Sequence, residues 1–326
     1  MKIKDILPLI TYHLLLFMKK NIKYFSLGII SFAIIVLFIN ATVDSANRYF
    51  PFIKATAKEE NIAMPLQNAY AVKLPASVTF SGEEVPLDDP EVRERLDREL
   101  TVNAYWQSST IMLLKRANRW LPTIEKILKE DSIPDDFKYL CMAESAFDNV
   151  VSPSGAAGFW QFMKATGTQY GLVINNEIDE RYNLEKATHA ACKYLKSSKE
   201  TTGSWTAAAA GYNMGNAGLN KQQSLQGETQ YYRLLLNTET SRYVQRIVAL
   251  KIIHQNQKDY GFYLTKDDVY PELKFTTQQV SSAQNWVDFA KQNNTSYKML
   301  RIYNPWIRDF SMINREKRTF DVKIPG

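Results

Sequence analysis

Hydrophobic positions recur at helical spacing from near Glu91 to about Tyr260, with short interruptions. Ile111, Leu114 and Leu121 mark one helix, and Pro122 reads as the start of the next, near Ile124–Lys129. Ser132-Ile133-Pro134-Asp135 combines a capping residue, an early proline and acids in a first turn, so it predicts a helix running through Glu144. A further helix is expected over Gly158–Tyr170, with Phe159, Phe162, Met163, Thr166 and Tyr170 on one side and Gly171 stopping it. Leu184–Ser198 and Trp205–Asn213 follow, both alanine-rich, which lets backbones approach closely. Thr240–Gln255 closes the set with Val244, Ile247, Val248 and His254. No strand pattern of comparable strength interrupts the region. The expectation is a mainly α protein with a compact all-α domain over residues 96–262.

The flanks differ. Residues 44–95 are rich in Pro, Ala and Glu and read as a tether. From Phe275 the pattern becomes strand, helix, helix, strand: Phe275–Val280, Trp286–Gln292, Tyr297–Tyr303 and Thr319–Ile324. Residues 263–326 therefore form a small α+β module. Tyr24–Val43 is a 20-residue run without a charge, the length needed to cross a bilayer. Lys19, Lys20 and Lys23 precede it and Asp44 follows, which places residues 1–23 in the cytoplasm and the rest outside. A retained transmembrane anchor is favoured over a cleaved signal sequence, because the run is long and Ile39-Asn40-Ala41 is a weak cleavage site.

Charge changes this picture little. The formal net charge is +6, but residues 1–23 hold five lysines against one aspartate, leaving only +2 for the remainder. Nucleic-acid binding is a poor reading of that balance. Three scattered histidines suggest no metal site, no glycine-rich phosphate loop is present, and no cofactor is implied. Cys141 and Cys192 read as small buried thiols. The 18 Tyr, 16 Phe and 6 Trp exceed what a core of this size needs, which makes a ring-lined groove plausible.

One polar residue breaks the apolar pattern in an informative way. Phe137, Leu140, Cys141 and Glu144 fall at i, i+3, i+4 and i+7 of one helix, so Glu144 continues a buried stripe. A carboxyl there is desolvated, which raises its pKa and keeps it protonated near neutrality, as a general acid requires. The alternative is a carboxylate at a helix end that escapes to solvent.

Four motifs surround this residue: Glu144-Ser145; Ser152-Pro153-Ser154-Gly155-Ala156-Ala157-Gly158-Phe159-Trp160-Gln161-Phe162-Met163; Ala209-Ala210-Gly211-Tyr212-Asn213-Met214-Gly215; and Glu239-Thr240-Ser241-Arg242-Tyr243-Val244. In order and spacing they resemble the lytic transglycosylases related to goose-type lysozyme, and within them the membrane-bound murein transglycosylases of the D type. The resemblance covers roughly residues 72–273, with Gly211 standing where the family commonly has alanine. It implies a lysozyme-like catalytic domain facing the periplasm from the inner membrane, with peptidoglycan glycan strands as partner. It implies Glu144 as acid and then base, cleaving the β-1,4 bond after N-acetylmuramic acid without water to leave a 1,6-anhydro end. Ser145, Trp160, Gln161, Tyr212, Asn213 and Tyr243 are the expected substrate-binding positions. Asp148, Asp179 and Glu180 are the acids that a hydrolytic mechanism on the same fold would draw on, although Asp179-Glu180-Arg181 reads equally as an ion pair. The βααβ order of the tail, with Asn304-Pro305 after its second helix, resembles a LysM module, and an accessory cap on the helical domain remains an alternative.

Overall fold

The computed structural model describes residues 70–326. The expected anchor at 24–43, and the part of the expected tether before residue 70, lie outside the described residues. Among the described residues no helix is long and apolar enough to cross a membrane.

Residues 70–95 pack on the helical domain instead of hanging free from it. Thr79–Phe80 (β1) and Glu83–Glu84 (β2) form a short antiparallel hairpin. Phe80 is fully buried, edge-on to Phe137 at 5.3 Å between ring centroids. The Glu83 carboxylate accepts the backbone N–H groups of Trp205 and Thr206 at 2.7 and 2.8 Å. It thereby satisfies donors that the start of a helix leaves free, next to the Ser204 cap. On the other side, the Asp136 carboxylate accepts Ser81 N–H and the Lys251 ammonium, both at 2.7 Å.

Pro90–Tyr105 (α1) starts with Asp89 as N-cap and Pro90 in its first turn. It buries Val92, Leu96 and Leu100, one helical stripe, along the last long helix of the domain. Gln107–Glu130 (α2) is a single 24-residue helix with Pro122 inside it, where the sequence predicted a break. A proline there forfeits one backbone bond. Burial of Leu113, Leu114, Ala117, Leu121, Ile124 and Leu128 on both sides of it keeps the helix whole.

Phe137–Ser145 (α3) begins later than expected. Ser132 does not cap it but takes a positive φ in the turn that closes α2, with Ile133 N–H returning to Leu128 C=O at 2.8 Å. The expected helix over Gly158–Tyr170 is reduced to Lys164–Gln169 (α4). Gly158 and Gln161 both have positive φ (79° and 48°), a conformation no right-handed helix contains. Residues 150–163 instead form a tight hairpin-like loop, with bridges Val151–Ala157 and Ala157–Phe162. Leu184–Thr202 (α5) and Trp205–Met214 (α6) follow, packed closely where Ala207, Ala208, Ala209 and Ala210 have no exposed surface. Asn216–Gln226 (α7), which buries only Leu219, was not expected because it has no apolar stripe. Thr240–Gln255 (α8) is buried nearly all round and forms the axis on which α1, α3 and α6 pack.

The C-terminal module pairs Phe275–Val280 (β3) antiparallel with Phe320–Pro325 (β6), Phe275 opposite Pro325. Between them lie Gln284–Asn285 (β4), Trp286–Gln292 (α9), Tyr297–Tyr303 (α10) and Ser311–Met312 (β5), with β4 antiparallel to β5. Asn304 is completely buried; its amide donates to Lys323 C=O at 2.6 Å and accepts Lys323 N–H at 2.8 Å, tying the end of α10 to β6. Trp286, Phe289, Leu300, Trp306 and Val322 form this module's core, and Ile178 and Tyr182 from the loop before α5 complete it. The two cores therefore meet at the Asp179-Glu180-Arg181 segment. Asp179 N–H bonds Trp306 C=O at 2.9 Å, and Arg308 N–H bonds Glu177 C=O at 2.8 Å.

Candidate active site

The last turn of α3 carries Glu144, and the chain reverses immediately behind it. Ala146 and Phe147 both take positive φ, and the Ser145 hydroxyl accepts Phe147 N–H at 3.2 Å while donating to Cys141 C=O at 3.4 Å. Ser145 is buried, and its hydroxyl serves the helix end rather than an open cleft. Phe137, Leu140 and Cys141 beneath it have no exposed surface, whereas Glu144 at the end of the stripe is partly exposed. The Glu144 carboxyl stands raised to about 7, chiefly by burial; a hydrogen bond from Tyr243 and the positive charge of Arg246 oppose the rise, and the Glu239 carboxylate adds to it. The Tyr243 hydroxyl, on buried α8, donates directly to Glu144 Oε1. The Tyr243 and Tyr212 phenols are held far above their usual range by burial and by the nearby Glu144 charge, so both remain donors.

Tyr212 lies on α6 and donates from its hydroxyl to Trp160 C=O at 2.7 Å, joining the loop to the helix beside the acid. Trp160 was expected to offer its ring to a sugar. It is fully buried, its indole N–H on Thr188 Oγ1 at 2.9 Å, so it is a core residue that presents only a carbonyl. Phe159 is also core, whereas Met163 is exposed at the start of α4. Gln161 sits at the loop tip and donates its amide to Val150 C=O at 3.1 Å and Gly158 C=O at 2.7 Å. Asn213, at the end of α6, accepts the Thr240 hydroxyl at 2.8 Å and donates to Glu239 at 3.3 Å. The structure thus ties Glu144 to Tyr243 directly, and ties Tyr212, Gln161 and Asn213 to the loop and helix ends around it.

The second carboxylate that acts on Glu144 is Glu239, exposed at the head of α8. It was missed as an acid, though it opens the fourth motif. The three acids weighed from sequence are engaged with other partners. Asp148 pairs with Arg116 at 3.0 Å. Asp179 holds Arg181 at 2.7 Å, and Arg181 in turn donates to Gly155 and Phe162 carbonyls at 2.9 and 3.1 Å, clamping the loop. Glu180 is buried, accepts Val173 N–H at 2.8 Å and is raised above the usual carboxylate range by burial. The ion-pair reading of this segment is the structural one.

Gly211, where the resembled family commonly has alanine, has a local cause. A Cβ there would stand 2.4 Å from Asn216 Oδ1 and 3.1 Å from Ser198 Oγ, two atoms bonded to each other at 2.7 Å. The glycine makes room for that polar bridge between α5 and α7.

Residues 122–235 match the family model described as the Transglycosylase SLT domain. The chain carries an SLT domain. Residues 276–326 match the soluble lytic transglycosylase C-terminal LysM-like domain, so the cap that packs on the SLT domain and the LysM-like module are one and the same. Two curated relatives, each named membrane-bound lytic murein transglycosylase D, come from Escherichia coli strains K12 and O6:H1. Each is 29% identical over 238 residues, which is 70% of this chain and 51% of the relative. The chain thus spans about half the length of the curated relatives it matches. Glu144, the hairpin loop and the Tyr212-Asn213 pair all fall inside the SLT domain, and Tyr243 lies just beyond its matched end.

Tyr243→Phe gives a direct reading of the pair. The tyrosine bond favours the charged carboxylate, so its loss raises the Glu144 pKa further. A reaction that needs Glu144 protonated then persists to higher pH: the high-pH limb of the rate profile shifts upward while the maximal rate falls. An unmoved limb would show that the pair does not govern turnover.

Proposed function

We propose that this chain is a peptidoglycan lytic transglycosylase, with Glu144 as its single acid–base group. The observation that carries the reading is the carboxyl at the end of a buried stripe, raised to about 7 and held by one tyrosine. At neutral pH about half of such groups carry a proton to give, and the other half can accept one. Glu144 protonates the glycosidic oxygen between N-acetylmuramic acid and N-acetylglucosamine as that bond breaks. The N-acetyl oxygen of the muramic acid assists departure by bonding to the anomeric carbon, and the C6 oxygen displaces it in the next step. The Glu144 carboxylate then takes the proton of the C6 hydroxyl, whose oxygen closes onto C1 to form the 1,6-anhydro ring. The proton lost in the first step returns in the second, and no water is consumed. Tyr243 orients the carboxyl; Tyr212, Gln161 and Asn213 position the loop and helix ends that face the sugar.

Hydrolysis on the same fold is the second reading, and Glu239 is the observation that favours it. It is the other carboxylate acting on Glu144 and, being exposed, is reachable by water. We further propose that residues 24–43 anchor the chain, with everything after them on the periplasmic side, and that the LysM-like module holds the strand. A C-terminal reporter active only outside the cytoplasm is expected to work; activity of a cytoplasm-only reporter would contradict that topology. The function is tested with purified sacculi: the intact chain is expected to release soluble sugar-containing fragments. Sacculi left intact under conditions where the protein is folded and binds them would defeat the proposal.

A further inference from the structure

One face of the domain is positively charged and largely unspent. α1 and α8 are joined across a buried carboxylate, Glu99, which is only 2% exposed. Three arginines surround it: Arg242 at 2.6 Å, Arg98 at 2.8 Å and Arg246 at 3.7 Å. A single carboxylate balances one of them. Positive charge is left over even though Arg246 also acts on the Glu144 carboxyl, and Arg98 keeps half of its side chain in solvent. A network meant only to staple two helices needs no such surplus, since like charges gathered around one acid repel one another.

The surplus lines an open cavity of about 400 Å³. Its wall includes Met142, Ala143 and Ala146, the residues on either side of Glu144 and Ser145 along α3. Among the described residues, Glu99 is the one carboxylate in that wall. Arg246 reaches both sites: it lines the cavity and its charge acts on the Glu144 carboxyl. Trp106 also lines it and is 64% exposed, an unusual position for an indole on a surface that binds nothing.

We propose that this cavity is an anion subsite beside the cleavage site, receiving a carboxylate carried on a side branch of the glycan strand, with Arg98, Arg242 and Arg246 as its donors and Trp106 as an apolar wall. The inference rests on the glycan reading above and adds to it a preference for acidic substituents. Guanidinium forks suit carboxylates because they can donate two parallel bonds. Two sources share this chemistry: the lactyl carboxylate of a muramic acid stripped of its peptide, and the carboxylates of an attached peptide.

The test uses the full chain carrying Glu144→Gln, so that binding is read without cleavage. Three soluble probes of equal sugar number are compared: peptide-bearing glycan, peptide-free glycan with free lactyl carboxylates, and an uncharged N-acetylglucosamine oligomer. Acidic probes are expected to bind about threefold to tenfold more tightly than the neutral one, the size of a partly exposed charge-assisted contact. Adding Arg98→Gln should reduce that preference selectively, Arg98→Lys should retain more of it, and raised salt should weaken it. Preference for the first probe over the second assigns the peptide; equal binding of both assigns the lactyl group. Equal binding of all three probes, or an equal loss for all three in Arg98→Gln, overturns the subsite while leaving the glycan reading standing. Failure to bind any probe overturns both. Sacculi left uncut by the unmodified chain, with the preference intact, would sink the transglycosylase assignment alone.

Discussion

Glu144→Gln is expected to lower turnover at least about 10²- to 10⁴-fold, the usual contribution of general acid–base catalysis, because in the proposed mechanism one side chain serves both proton transfers. Glutamine keeps the volume and can still accept the Tyr243 hydrogen bond, but it neither gives nor takes the proton. The same change is expected to stabilise the fold. A carboxyl whose folded pKa of about 7 lies above its ordinary 4.5 holds its proton more tightly folded than unfolded. Its presence therefore costs stability progressively as pH rises from about 4.5 to about 7, and costs nothing below that window. Discounted for the partial exposure of the side chain, the gain for glutamine at pH 7 is about 2 kcal/mol. Denaturant melts of parent and variant at pH 7 and pH 4.5 read it, with the difference expected only at pH 7. Asp148→Asn and Glu180→Gln serve as controls; the first breaks a surface pair and the second loosens a loop, and neither removes the acid. A Glu144→Gln enzyme of near-normal rate would remove the assignment.

Gly158→Ala is expected to be the most damaging single-methyl change in the SLT domain. Gly158 has φ of 79°, and a Cβ built on it stands 1.9 Å from the carbonyl oxygen of Arg181, a backbone atom that cannot swing away. Either the loop or the Asp179-Glu180-Arg181 segment must move, at a cost of about 3–5 kcal/mol. Because that loop carries Gln161 and the carbonyl that holds Tyr212, activity is expected to fall about 10²-fold even where the variant remains folded. Gly155→Ala is the comparison: its φ is also positive, 87°, but nothing lies within 4 Å of the new methyl, so only about 1 kcal/mol of backbone strain is expected. Equal melting midpoints for the two variants would show that the close approach to Arg181 is unimportant.

These two positions also show what a reader of the sequence alone can and cannot see. Helices that bury a periodic stripe were legible: Thr240–Gln255 falls where its pattern put it, as do Leu184–Thr202 and Trp205–Met214 to within a few residues. Glu144 was legible for the same reason, as the polar end of an apolar stripe. The loop at 150–163 was not. Phe159, Phe162 and Met163 have helical spacing, but the clamp from Arg181 and the positive φ at Gly158 and Gln161 come from contacts remote in sequence. Trp160 was misjudged because an aromatic in a motif looks the same whether it faces sugar or core, and only the Thr188 partner decides. Pro122 looked like a helix start because its local cost is visible in sequence and the burial that outweighs it is not. Glu239 went unweighed because it reaches Glu144 through the packing of α8 on α3.

The C-terminal module presents a related lesson. Its two long strands and both helices were readable, but the two-residue strands β4 and β5 were not, nor was its join to the SLT domain, because Ile178 and Tyr182 enter its core from a segment that reads as a polar loop. That join gives the Asp179-Glu180-Arg181 segment its structural work: Asp179 binds Arg181 and Trp306, and Arg181 binds the loop of the candidate site. Acids that looked like a possible second catalytic carboxylate hold the scaffold together instead.

The central claim is that Glu144 works alone, with the substrate's own hydroxyl as nucleophile. Mass spectrometry of the sugar fragments released from purified sacculi by the intact chain tests it most directly. The account predicts muramyl ends lighter by one water than a hydrolytic product, with no incorporation of ¹⁸O when the reaction is run in labelled water. Reducing muramyl ends carrying the label would contradict it and transfer the second step to a water activated by Glu239.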